Sequence, residues 1–300
     1  ISIKDEAKSF SLTNDPSGIL SRGHMGVQPS GALITGRVVT RITVTGCTDY
    51  KNTRKDCSER RAALHPTLRS ITVKGTRGKD SGRVAAIVGV LVPVSSKRHR
   101  VAPRLTRVEL HHGANGIVKA GRALVAGLWP ALEELEVPNC HANTSDFFGL
   151  LDALTSGRAP KLRVLNWNNQ SIFKDGVDEA ILWGLRAGKC PHVEHLSFTN
   201  AFMISEMRMD SLRGALQACP KLREVRMDCT KSPREQLRDL TATLQGGDVP
   251  QLAFLYIRVL NQSHRGGVDV SNDQDVDALK RAAASRIPPV RIEVKSMSSI

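Results

Sequence analysis

Aromatic side chains make up only 4% of this 300-residue chain, and Leu, Val, Ile and Ala supply most of its apolar content. That balance suits repeated small layers of core better than one large core. Long apolar runs are missing as well. The longest, VAAIVGVLVPV at 84–94, falls short of the roughly 18 residues a membrane span needs and carries a proline. At 40% hydrophobic and 24% charged, the composition excludes wholesale disorder.

The signatures of catalysis are absent or broken. There is no HExxH, no CxxC pair and no nucleophile elbow. GTRGKD at 75–80 and GLRAGKC at 184–190 contain Gly-Lys but lack the four-residue gap and following Ser or Thr of a phosphate loop, so both read as turns. His111 and His112 are adjacent and would face opposite ways on a strand, which prevents them from chelating one ion. Asp273, Asp275 and Asp277 imitate the start of a calcium loop without its glycine or closing glutamate, and fit an acidic helix N-terminus better. Cys57 has no placed histidine to activate it. The expectation is a protein that is not an enzyme and carries neither cofactor nor metal.

What the chain does contain is one phrase, restated nine times: VTRITVTGC from Val39, LRSITVKG from Leu68, LTRVELHH from Leu105, LEELEVPNC from Leu132, LRVLNWNNQ from Leu162, VEHLSFTNA from Val193, LREVRMDCT from Leu222, LAFLYIRVL from Leu252 and a degraded PVRIEVKS from Pro289. Each reads L-x-x-L-x-L. A proline usually stands two residues ahead, at Pro66, Pro103, Pro130, Pro160, Pro191, Pro220 and Pro250. Between the phrases lie segments of helical spacing, among them FFGLLDALTSG, DEAILWGLRAG, MDSLRGALQA and LRDLTATLQGG, several closed by Gly. A short strand followed by a helix, repeated, predicts parallel strands with crossover helices. Strands stack about 4.8 Å apart and helices about 10 Å apart, so the helical side must fan outward and the sheet must curve.

These phrases resemble the leucine-rich repeat family, in particular its ribonuclease-inhibitor-like and cysteine-containing classes, where the phrase continues to Asn or Cys at a ninth position. Cys47 and Cys140 fall there, whereas Cys190 and Cys219 precede the proline in CPHV and CPKL. The chain departs from that pattern at Thr76, Gly113, Gln170, Ala201, Thr230, Leu260 and Met297. The resemblance implies an α/β leucine-rich-repeat solenoid over residues 37–300, a horseshoe whose curved parallel sheet has about nine strands with helices on its convex side. Residues 1–36 hold no phrase and read as an irregular N-terminal arm or cap. Trp167 and Phe198 take inward positions of their phrases, and Trp129 and Trp183 lie at apolar spacing in helices, so all four are expected in the core.

The third, fifth and seventh positions of each phrase must face outward on the concave sheet. Read down the array, they run from polar and basic, through an acidic stretch at Glu109, Glu134 and Glu136, to Arg226 beside Phe254, Tyr256 and Arg258. Mixed charge with apolar-aromatic anchors suits a protein ligand, whereas an RNA groove would want basic and aromatic side chains throughout. An ordinary solvated strand face remains open as the plainer reading.

The net charge of +14 is unevenly spread, since residues 47–108 hold 15 Lys and Arg against 4 Asp and Glu. Lys51, Arg54, Lys55, Arg60 and Arg61 lie in KNTRKDCSERR, and Lys97, Arg98, Arg100 and Arg104 in SSKRHRVAPR, one repeat apart. Stacked coils would gather them at one end as a contact for RNA or another polyanion, or simply as a solubilising surface. The chain opens on Ile1, as expected of a processed form or the ordered part of something longer, and its cysteines follow the repeat rather than a disulfide framework, which suits a reducing compartment. The sequons at Asn143, Asn169 and Asn261 are short enough to arise by chance. The expected function is a non-enzymatic scaffold mediating protein–protein contacts within a larger assembly. That assembly is intracellular and for instance mitochondrial, such as an organellar ribosome. The alternatives are an F-box-like ubiquitin-ligase substrate receptor and an inhibitor- or receptor-type repeat domain.

Overall fold

The computed structural model describes residues 2–4, 9–11, 41–45, 68–74, 102–111, 114–138, 147–168, 177–199, 209–229, 233–247, 249–261 and 274–298. The fold is α/β, with one open sheet in which strands alternate with helices. Its strands are β1 (Ser2–Lys4), β2 (Ser9–Ser11), β3 (Arg41–Thr45), β4 (Ser70–Lys74), β5 (Arg107–His111), β6 (Glu134–Glu136), β7 (Val164–Asn166), β8 (His195–Phe198), β9 (Glu224–Cys229), β10 (Phe254–Asn261) and β11 (Arg291–Ser298). The helices among the described residues are α1 (Ala114–Val125), α2 (Phe148–Thr155), α3 (Val177–Arg186), α4 (Met209–Ala218), α5 (Pro233–Gln245) and α6 (Gln274–Ala284).

Eight parallel ladders join β3 through β11 in chain order. Their register follows the repeated phrase residue for residue. Arg41 pairs with Ser70, Ser70 with Arg107, Arg107 with Glu134, and so on through Val164, His195, Glu224 and Phe254 to Arg291, all third positions. The sheet does not stop there. Segments 2–4 and 9–11, expected to be irregular, add two antiparallel strands in the order β3-β1-β2, so among the described residues the sheet has eleven strands where about nine were expected. An edge strand's open row of amides and carbonyls recruits any extended segment within reach, and no phrase is required for that.

Alternation explains the layering. Fourth and sixth positions such as Val108, Leu110, Leu135, Leu165, Leu196, Val225 and Ile257 are buried. Third and fifth positions of the same strands are mostly half-buried. Each described helix packs on the next in sequence, so among the described residues the helices form one layer over one face of the sheet and leave the other uncovered. Trp167 and Phe198 are buried at sixth positions and stack with ring centroids 5.2 Å apart, and Trp129 is buried too. Trp183 is not. It is 62% exposed on α3, because the helix buries Ile181, Leu182 and Leu185 and turns the intervening residue outward.

The prolines have a common role. Leu105, Leu132, Leu162, Val193, Leu222 and Leu252 each donate a backbone hydrogen bond, 3.0–3.3 Å long, to the carbonyl of the residue before the preceding proline. This is a β-turn with Pro at its second position, where the ring's fixed φ is already correct. Gly closes α1 and α2 in matching fashion. Gly127 (φ 68) donates to Leu124 O while Leu128 donates to Ala123 O, and Gly157 (φ 73) with Arg158 repeats the pattern on Leu154 and Ala153. The left-handed conformation that lets both bonds form favours glycine. The GLRAGKC segment ends α3 at Gly188 (φ 71), which donates to Leu185 O, a turn as its sequence suggested.

Candidate protein-binding face

On the open face of β9, β10 and β11 the ladders set three rows side by side: Glu224, Phe254 and Arg291; Arg226, Tyr256 and Glu293; Asp228, Arg258 and Lys295. Phe254 lies between two guanidinium groups, with Arg226 Cζ 5.6 Å and Arg291 Cζ 5.5 Å from its ring centroid. Lys295 Nζ sits 5.7 Å from the Tyr256 centroid and 3.1 Å from Glu293 Oε1. Both rings are half-buried, while Arg226, Arg291 and Lys295 are exposed. Cations over aromatic faces are attracted by the ring quadrupole and hold the rings in place. Glu224 anchors the edge of this cluster, accepting from Arg226 Nε and lying 3.1 Å from His195 Nδ1. Burial pushes its carboxyl up, but Arg226 and His195 outweigh burial and its pKa is lowered.

The sequence-predicted trio Arg226, Phe254 and Tyr256 is therefore brought together. Arg258 is not available alongside it. It is 7% exposed and donates from Nε and Nη2 to the carboxylate of Asp228, which is fully buried, at 3.0 and 2.5 Å. Its seventh position does face the open side, but the charge is consumed within the chain. Arg291 and Lys295 are the outward third and seventh residues of the last, degraded phrase. Once the third positions are aligned, both fall beside the aromatic pair.

The acidic stretch also changes character. Arg107, a third-position residue, stands among Glu109, Glu134 and Glu136, with contacts of 3.6, 2.6 and 2.7 Å. Burial lowers the Arg107 pKa, but the three carboxylates, Glu136 foremost, raise it overall. His111 Nε2 lies 2.6 Å from Glu109 Oε1, Thr72 Oγ1 donates to Glu109 at 3.2 Å, and Asn166 Nδ2 donates to Glu136 at 3.3 Å. Three glutamates that look like an acidic patch are instead one half-buried, cross-strand network. Further along, Asn168 Oδ1 accepts from Ser197 Oγ, Thr199 N and Thr199 Oγ1 at 2.7–3.0 Å, tying β7 to β8.

Of the basic stretch, Arg104 is exposed in the turn before β5. Lys51, Arg54, Lys55, Arg60, Arg61, Lys97, Arg98 and Arg100 lie outside the described residues, as do Cys47, Cys57, Cys140, His112 and Asp273. Asp275 and Asp277 occupy the first turn of α6, and Asp275 pairs with Arg238 at 2.9 Å. Among the described residues no group of three or more His, Cys, Asp or Glu is placed to hold a metal, and no helix is long and apolar enough to cross a membrane.

Cys190 and Cys219 are buried free thiols, each the first residue of a proline turn. Cys190 Sγ lies 3.8 Å from Leu154 O, and Cys219 Sγ lies 3.9 Å from Cys190 O, so the thiols bridge successive coils. Burial pushes Cys190 up to about 11 and, with the charge of Cys190 adding to it, Cys219 up to about 12. In comparisons with protein-family models and with curated proteins, nothing matches this chain.

Proposed function

We propose that the chain is a non-enzymatic scaffold of the leucine-rich-repeat type, horseshoe-shaped, that holds a protein partner on the open face of its sheet within a larger assembly. The observation that carries this reading is Phe254 held between Arg226 and Arg291 beside Tyr256, on a face that the helices leave uncovered. Aromatic anchors flanked by arginine are the residues most enriched where interfaces concentrate their binding energy. The horseshoe follows from stacking helices, which need about 10 Å, on strands spaced about 4.8 Å apart.

The basic residues of 47–108 would rest on RNA or another acidic surface of the same assembly. An organellar ribonucleoprotein, such as a mitochondrial ribosome, combines such partners. The unpaired thiols of Cys190 and Cys219 suit its reducing interior. Their placement before proline also favours a second reading, a substrate receptor of a ubiquitin ligase.

Purification of the native protein at moderate salt tests the proposal. A stoichiometric protein partner, lost when Arg226, Phe254 and Tyr256 are changed to Ala, is the expected result, and a ligase core in its place would select the second reading. Recovery of the chain alone would overturn both. For the polyanion part, K97E/R98E/R100E should flatten the dependence of RNA affinity on salt, and an unchanged slope would reduce that stretch to a solvated surface.

A further inference from the structure

Trp183 lies three residues, about 4.5 Å along the axis, before the end of α3 at Arg186. The indole is 62% exposed on the helix, and the turns that close this helix and the helices of the coils on either side carry cations. Arg186 is its neighbour three residues on, and its side chain runs against α4, where a Cβ added to Gly214 would meet Arg186 Cδ at 2.7 Å. Past the closing Gly188, Lys189 packs its stem over Gly157 of the preceding coil, with its Cβ 3.6 Å from where a Cβ would stand there. That sets it beside Arg158. Lys221 of the following coil reaches back to place Nζ 2.9 Å from His192 Nδ1.

Arg158, Lys161, Arg186, Lys189 and Lys221 thus occupy one edge of three successive coils, where helices end and strands begin. All five are exposed, and none has a carboxylate partner among the described residues. The turns that carry them, 156–161, 186–192 and 218–221, contain no acid. Of the five, only Arg186 lies in the last turn of its helix, where it meets the C-terminal dipole. α5 ends with no basic residue in its last turn, and 246–251 after it holds none either.

We propose that this strip binds single-stranded nucleic acid, with a base stacked on Trp183 and the five cations meeting the phosphates on either side. An exposed aromatic within a track of cations is the arrangement that holds single strands without reading sequence. The coils step by between about 4.8 Å at the strands and about 10 Å at the helices, so each coil can meet the backbone in turn. The strip shares no residue with the open sheet face or with residues 47–108, so it stands or falls apart from the function proposed above.

Fluorescence anisotropy of labelled U12 RNA, dT12 DNA and a 12-base-pair duplex tests it, with phosphatidylserine vesicles as the rival anionic surface. Trp129 and Trp167 are buried, so quenching of indole emission by the oligonucleotide reports Trp183. The expected result is quenching by both single strands, and about tenfold weaker binding by W183A at an unchanged melting temperature. With five phosphates engaged, log affinity should fall against log salt with a slope near −3.5, made shallower by about 2 in K161E/K189E/K221E. A preference between U12 and dT12 assigns the sugar. Equal affinity of W183A and the parent, quenching absent, loss of binding only in K97E/R98E/R100E, or binding to vesicles but not to oligonucleotides would each overturn the proposal.

Discussion

Arg258→Ala should destabilise the protein by about 3–5 kcal/mol, although its place in the phrase is that of a surface residue. Arg258 and Asp228 are Cα partners in the β9–β10 ladder, and their side chains meet through two hydrogen bonds, bidentate and charge-assisted. Neither side chain reaches solvent to any useful extent, with Asp228 at 0% and Arg258 at 7% exposure. Removing the guanidinium strips a buried carboxylate of its two charge-assisted bonds from Arg258, and a cost of several kcal/mol persists until the group takes up a proton. Asp228→Ala should cost about as much by stranding the arginine. Replacing both, as in D228A/R258M, should recover much of the loss, since a buried ion pair and an apolar filling of similar size often come out near even. Urea unfolding followed by circular dichroism gives the four stabilities. A coupling energy of about 2 kcal/mol or more is expected from the cycle. If either single variant stayed within about 0.5 kcal/mol of the parent, or the two effects simply added, the pair would be an ordinary surface contact and Arg258 would return to the list of binding residues.

Two further outcomes follow from the packing. Gly121→Ala should destabilise by about 1–3 kcal/mol where an exposed helical Gly→Ala would stabilise, because the new Cβ would stand 2.5 Å from Leu150 N and 2.6 Å from Gly149 C on the facing helix; a rise in the urea midpoint would refute that close approach. For the thiols, folded pKa values of about 11 and 12 against an ordinary 9.0 mean that above pH 9 the unfolded chain releases protons that the folded one keeps. Stability should therefore be unaffected by these groups below pH 9 and fall as pH rises towards 11–12, less steeply in C190A. Rapid labelling of Cys190 and Cys219 by a bulky thiol reagent at pH 8 in the native state would contradict their burial.

The periodic part of the structure was legible in the sequence because one alternation dictates both burial and pairing. A phrase whose first, fourth and sixth residues are apolar can bury them only by laying its third, fifth and seventh on the other face, and stacking equal phrases fixes the register at zero offset. That is why Arg226, Phe254 and Tyr256 could be placed together in advance. What escaped were properties of neighbours across strands. Glu109, Glu134 and Glu136 count as three negative charges in a column, yet Arg107 reaches all three. Arg258 faces the open side, but burial depends on what surrounds it, which no single phrase states. Trp183 sits at apolar spacing, and only the helix's rotation decides whether residue 182 or 183 turns inward. The antiparallel β1 and β2 have no phrase at all; β1 is held by the backbone of β3, and β2 by that of β1.

The most direct test of the scaffold is the dissociation constant of its native partner for F254A, measured by calorimetry beside the parent and W183A. The account predicts that F254A weakens binding by about 30-fold or more, the loss of an interface anchor worth about 2 kcal/mol, at an unchanged melting temperature. W183A, on the helical side, should leave the constant where it was. Full affinity in F254A together with lost affinity in W183A would contradict the account and move the partner to the helices.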